Sequence, residues 1–174
     1  MTGIISSNTD RQSGLIKATA GASNQPYFHA RRSADYNFSD NTYIILPIDE
    51  VIINVGSCYD NSTYKFTPNV AGNYYIYAQI HVYGGTTDRL NHCRGQIWKN
   101  NSSSDPVCAW AYEGQAQSSG YTRDRQNEGY MSAVVAMNGS SDYLSFHGNA
   151  DESSSTPWLS ANWENTYFGG YKIA

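Results

Sequence analysis

Residues 51 to 83 read VIINVGSCYDNSTYKFTPNVAGNYYIYAQIHVY, and the fold is decided by the second half of this stretch. From Tyr74 the alternate positions Tyr74, Ile76, Ala78, Ile80 and Val82 share one face. Tyr75, Tyr77, Gln79, His81 and Tyr83 share the other. This is the period-2 pattern of a strand, since a helix would scatter both sets around its axis. The first face is aliphatic enough to be a core wall. The second is rich in tyrosine, too sticky for free solvation and too polar for an ordinary interior. It suits either a subunit interface or a polar-aromatic outer surface.

Turn signals punctuate the rest of the stretch and its surroundings. A strand from Glu50 to Val55 ends at Gly56, and a turn spans Ser57 to Ser62. A short strand from Thr63 to Thr67 stops at Pro68, and the long strand follows Gly72. Upstream, Pro26 opens a strand over Tyr27 to Ser33. A second runs from Thr42 to Pro47, whose proline limits it to an edge or an end. Downstream, Leu90 to Lys99 and Pro106 to Glu113 read as a hairpin across the Asn- and Ser-rich turn at 100–105. Residues 114–128 are polar without periodicity and read as a long loop. Tyr130 to Met137 is apolar on both faces, a strand expected to be covered on both sides. Asn138-Gly139 turns into a strand over Asp142 to His147. A Ser- and Trp-rich loop at 149–164 precedes the last strand, Thr166 to Ile173. Ten short strands and no helix imply an all-β, two-sheet sandwich, and the long connections favour Greek-key crossings.

Composition agrees and narrows the function. The 174 residues fit one core, residues 25–174, behind an arm at 1–24 rich in Ser, Thr, Gly and Asn, flexible or ordered by a partner. Charged residues make up 15% and the net charge is −4, so no footprint for nucleic acid or anionic membrane exists. No run of 18 apolar residues and no basic-then-apolar start is visible, which argues against a membrane span and a secretory signal. Cys58, Cys93 and Cys108 are odd in number and lack CxxC spacing, so a disulfide framework or zinc knuckle is not expected. Cys93 and Cys108 could face each other across the hairpin, but a cytosolic origin argues against an obligatory bond.

Catalytic signatures are missing. No GxSxG, HExxH or GxxxxGK occurs. His29, His81, His92 and His147 are widely spaced, giving no metal or cofactor expectation. Asp151-Glu152, or Asp124 with Glu128, could supply the carboxylate pair of a glycan-cleaving enzyme, but loop carboxylates beside Ser and Arg are usually only solvated. The loop aromatics say more. Trp158, Trp163, Trp110 and Tyr112 flank Ser- and Asn-rich turns, a mixture that binds sugars by stacking and hydrogen bonds, or plugs the ends of a sandwich.

Four separated pieces carry a family resemblance. They are Phe28-His29-Ala30; Asn54-Val55-Gly56 with Tyr59 and then Lys65-Phe66-Thr67; Gly72-Asn73-Tyr74-Tyr75-Ile76; and Phe168-Gly169-Gly170-Tyr171. In order and spacing the chain from Tyr27 to Ala174 resembles the globular head of complement C1q, which shares a ten-strand jelly roll and a threefold assembly with tumour necrosis factor. Ser140-Ser141-Asp142 departs from the family's usual Gly-Asp, and no collagen-like stalk precedes the head. The resemblance implies a non-enzymatic binding module and a homotrimer, and it supplies no catalytic or calcium-binding residue. The expected trimer interface is Tyr75, Tyr77 and Tyr83 with Tyr130 and Val134. By analogy with small bacteriophage structural proteins, the reading is a virion display protein made in the host cytoplasm. Its arm would attach to other virion proteins, and it would serve as a tail-fibre, spike-tip or receptor-binding module for a host surface glycan. Capsid decoration or a head fibre, a glycan-cleaving spike and a secreted cytokine-like ligand are the alternatives.

Overall fold

The computed structural model describes residues 25–38, 41–84, 90–114, 126–152, 156–161 and 165–173. The arm at 1–24, Asp124 and Trp163 lie outside them. Thirteen strands and no helix are present among the described residues. They are β1 (Tyr27–Arg31), β2 (Tyr36–Asn37), β3 (Ile44–Ile45), β4 (Glu50–Val55), β5 (Tyr59–Asp60), β6 (Lys65–Phe66), β7 (Gly72–Tyr83), β8 (Leu90–Lys99), β9 (Cys108–Glu113), β10 (Gln126–Met137), β11 (Leu144–Glu152), β12 (Trp158–Leu159) and β13 (Tyr167–Lys172). The ten expected strands all form. The three additional ones, β2, β5 and β12, have two residues each, too short for any periodicity to register.

Two antiparallel sheets face each other. The first runs β4, β1, β13, β7, β10, with β12 and then β2 pairing beyond β13 along the far half of β7. The second runs β5, β6, β11, β8, β9, with β3 also on β11. β7 is the spine of the first sheet. It pairs with β10 over its whole length, from Gly72 opposite Met137 to Tyr83 opposite Gln126.

The sequence pattern of β7 becomes the core wall. Tyr74, Ile76, Ala78, Ile80 and Val82 are fully buried, and they meet Ile97, Leu144, Phe146 and Ala150 of the second sheet. At the β1 end an aromatic cluster fills the gap. Phe28 stacks on Tyr59 and on Phe66, each with ring centroids 4.7 Å apart, and meets Phe168 edge-on at 4.9 Å. Such pairs add about 0.5–1.5 kcal/mol each to their area burial. Asn54 ties together the second of the pieces that carried the resemblance. Its Oδ1 accepts from the Cys58 and Tyr59 amides, and its Nδ2 donates to the Tyr59 carbonyl.

Two expectations are corrected and two disfavoured alternatives are removed. Residues 149–152 continue β11 rather than starting a loop, because their polar side chains have cross-strand partners: Asn149 Oδ1 lies 2.6 Å from His92 Nε2, and Asp151 accepts from Asn91 at 3.0 Å. Polarity there is satisfied by a sheet. The polar stretch expected as a loop to residue 128 gives way to β10 at Gln126. Asp151 and Glu152, being consecutive on β11, point to opposite faces, so they form no carboxylate pair. Cys93 is opposite Tyr112, and Cys108 is opposite Ile97, four residues further along β8. All three thiols are free, and burial pushes them up, to about 12 for Cys93 and about 11 for Cys58 and Cys108.

Candidate functional site

The outward face of the first sheet gathers residues from five strands. Register fixes this, since directly opposed residues share a face. β7 contributes Tyr75, Tyr77, Gln79, His81 and Tyr83; opposite them on β10 stand Val134, Ser132, Tyr130, Glu128 and Gln126. β13 adds Tyr171, Gly169 and Tyr167, and β1 adds Tyr27, His29 and Arg31. β4 closes the face with Ile53 and Val55.

Its middle is a mesh of tyrosines. Tyr75 lies 5.5 Å from Tyr171 and 6.2 Å from Tyr77, ring to ring, and Tyr77 meets Tyr167 at 6.1 Å. The Tyr75 and Tyr130 hydroxyls are 3.0 Å apart, and Tyr167 donates to Gln79 at 2.9 Å. His29 sits beneath them with Nδ1 3.1 Å from the Tyr77 hydroxyl. Burial, and secondarily the Arg31 charge, lower its pKa, so it is held neutral. Gly169 leaves room for this packing: a Cβ at that position would run into Tyr77 Cζ, so the hydroxyl end of the ring would have to move.

Several large apolar groups on this face are left open. Val134 is 60% exposed, Tyr130 51%, Tyr171 46% and Tyr27 38%, and Ile52 and Ile53 extend the patch along β4. The inward residues of β10, such as Met131 and Met137, are buried. So β10, expected to be covered on both faces, is covered on one by the described residues. A contiguous aromatic and aliphatic surface of this kind marks an interaction site.

The proposed interface residues therefore converge: Tyr75, Tyr77, Tyr130 and Val134 lie together, and Tyr83 stands at the end of the same face. The proposed ligand aromatics do not. Trp110 and Tyr112 are half-buried on the inward side of β9 against the core, and the Trp110 ring occupies the space where a side chain on Gly129 would go. Trp158, opposite Tyr83 in register, stacks on it nearly parallel, with centroids 5.6 Å apart and planes 7° apart. Tyr27 and Tyr171 align with Tyr75, near the start of β7. Trp158 is thus at the opposite end of the sheet, roughly 25 Å from the point where the arm joins. Gly169, His29 and Tyr167 are the site residues that single-strand patterns missed; only the register that aligns β1, β13 and β7 reveals them.

A family model for the C1q domain matches residues 27–171. No curated protein matches the chain significantly. Among solved structures, the fold is similar to murine APRIL at pH 5.0, with a TM-score of 0.59, 12% identity, and 86% of this chain and 99% of that one covered. It is also similar to Eiger TNF from S. frugiperda (TM-score 0.57, 15% identity, 86% and 92% covered). The globular domain of the zebrafish complement 1qA protein matches with a TM-score of 0.56 and 15% identity, covering 86% and 98%.

Proposed function

The chain belongs to the C1q domain family, and from that premise we propose that it is a non-enzymatic display module. It assembles as a homotrimer through the outward face of the sheet built on β7 and presents the end carrying Trp158 to a partner. One observation carries this reading: the tyrosine mesh with Val134 and Tyr130 beside it is ordered within the chain yet exposed. Covering such a face removes apolar surface from water at about 25 cal/mol per Å². Threefold repetition then gives avidity to weak sites at the Trp158 end.

The partner in this reading is a host surface glycan, and the setting is a virion on which the arm at 1–24 attaches to other virion proteins. The separation of Tyr27 from Trp158 along β7 supports an attached end and a presenting end. The half-buried, stacked indole supports a sugar platform, since a C–H face covering it is worth about 1–2 kcal/mol. Trp158→Ala is expected to lower binding of the trimer to a glycan array or to host cells about tenfold while sedimentation stays unchanged. Unaltered binding by a folded trimeric variant overturns the glycan contact at this end and favours capsid decoration. Binding to a cell-surface protein in place of glycan favours a cytokine-like ligand.

A further inference from the structure

A cleft of about 390 Å³ opens where β7 ends and β10 begins, lined by His81, Tyr83, Gln126, Asn127, Glu128 and Asn165. We propose that this cleft, rather than the indole of Trp158 alone, is a binding site for one uncharged pyranose unit of a saccharide. The proposal rests on the glycan-display reading and gives it a specific seat.

The lining chemistry selects the ligand. Every described lining residue brings a polar group, and among them the only full charge is the Glu128 carboxylate. Burial lowers the His81 pKa against the opposing pull of Glu128, so the ring adds no permanent cation. An anionic ligand meets repulsion from that carboxylate, and an apolar one would strand amides and a carboxylate without partners. A polyol suits both, because each hydroxyl donates and accepts. Vicinal hydroxyls can donate to one carboxylate while accepting from Gln126, Asn127 or Asn165. The size lies within the range of small-molecule sites, roughly 300–1,000 Å³.

The walls are built to hold still. His81 is 5% exposed. Its amide donates to Thr166 Oγ1 at 3.2 Å, Thr166 donates on to the Ser160 carbonyl at 2.8 Å, and the Ser160 amide returns to the His81 carbonyl at 2.9 Å. Both Thr166 and Ser160 are fully buried. The Asn165 amide nitrogen lies 3.3 Å from His81 Nδ1; with that amide donating, the ring proton sits on Nε2. On the other side, the Tyr83 ring is 4.8 Å from His81 and is backed by the parallel Trp158. An aromatic wall beside a held imidazole and the Asn165 amide is a pre-organised edge for a sugar. Loss of binding in Trp158→Ala would then be partly indirect, through the support it gives Tyr83.

The test is saturation-transfer NMR on the full chain with the methyl glycosides of glucose, galactose, mannose and N-acetylglucosamine as probes. At least one is expected to bind saturably in the millimolar range. Glu128→Gln, an isosteric change at an exposed side chain, should weaken it by about tenfold or more, the loss of a hydrogen bond to a charged acceptor. Asn165→Ala provides an independent second variant with the same expectation. Absence of saturable binding by all four probes, or binding unchanged in both variants, overturns the proposal. The two readings fail separately. A glycan-array signal that survives Glu128→Gln and Asn165→Ala but is lost in Trp158→Ala keeps the display reading and removes the cleft. A blank array beside a saturable, Glu128-dependent methyl glycoside keeps the cleft and removes the display reading.

Discussion

His147 is buried on the outward side of β11, stacked on Trp98 with centroids 3.6 Å apart, and its Nε2 is 2.9 Å from the Ser145 hydroxyl. Its Nδ1 is buried without a hydrogen-bond partner among the described residues. Burial lowers its pKa from 6.5 to about 4. The folded chain thus keeps the ring neutral at pH values where the unfolded chain protonates it. Stability should be full above pH 6.5, fall as pH drops toward 4, and level off below, with a loss of up to about 3 kcal/mol. Asp142 extends the acid decline. Lys99 at 2.8 Å and Asn100 at 2.9 Å hold its pKa at about 2, so its contribution is present above the ordinary carboxylate range and is lost as pH falls through 2. Urea midpoints at pH 7.5, 5.5 and 4.5 check the first part: the wild-type midpoint should fall, and that of His147→Gln should start lower and fall less. Equal slopes would remove His147 from the account.

At the scale of strands, Gly169 couples β13 to the tyrosine face of β7. Gly169→Ala should force the Tyr77 ring aside and break its contact with His29 Nδ1, while the core wall on the far side of the sheet stays intact. The expected outcome is an unchanged circular dichroism spectrum with association weakened about tenfold, ~1.4 kcal/mol, read from the concentration dependence of sedimentation. A loss of folding would show that Tyr77 supports the sheet rather than the contact. This dependence on register explains what the chain revealed before folding. The alternation in β7 was legible residue by residue, because both faces of a long strand are written in one run. The outward face as a site was half legible. Tyr75, Tyr77, Tyr130 and Val134 show up within their own strands, but Tyr167, Gly169 and His29 join them only through pairings across 48 or more residues. The end of β11 was misread for a related reason, since Asn149 and Asp151 look like loop residues until β8 is paired with them and brings His92 and Asn91 within hydrogen-bond reach. Trp110 and Tyr112 carried a sugar-binding composition, yet their inward positions on β9 put them against the core.

At the scale of the molecule, both described sheets and the core cluster are built from residues beyond 24. A chain beginning at residue 25 is therefore expected to fold and associate as the full chain does, while losing attachment to a larger particle. Failure to fold would make the arm part of the core, and undiminished incorporation into particles would put the anchor elsewhere. The central claim is threefold association through the outward face of β7 and β10, and sedimentation equilibrium at micromolar concentration tests it most directly. The account predicts a wild-type species of three times the 19.3 kDa chain mass, and a folded species of single-chain mass for Val134→Lys, because Val134 is 60% exposed and its replacement costs the isolated sandwich little. A stable, folded wild-type monomer at that concentration, or a trimer that Val134→Lys leaves intact, would contradict it.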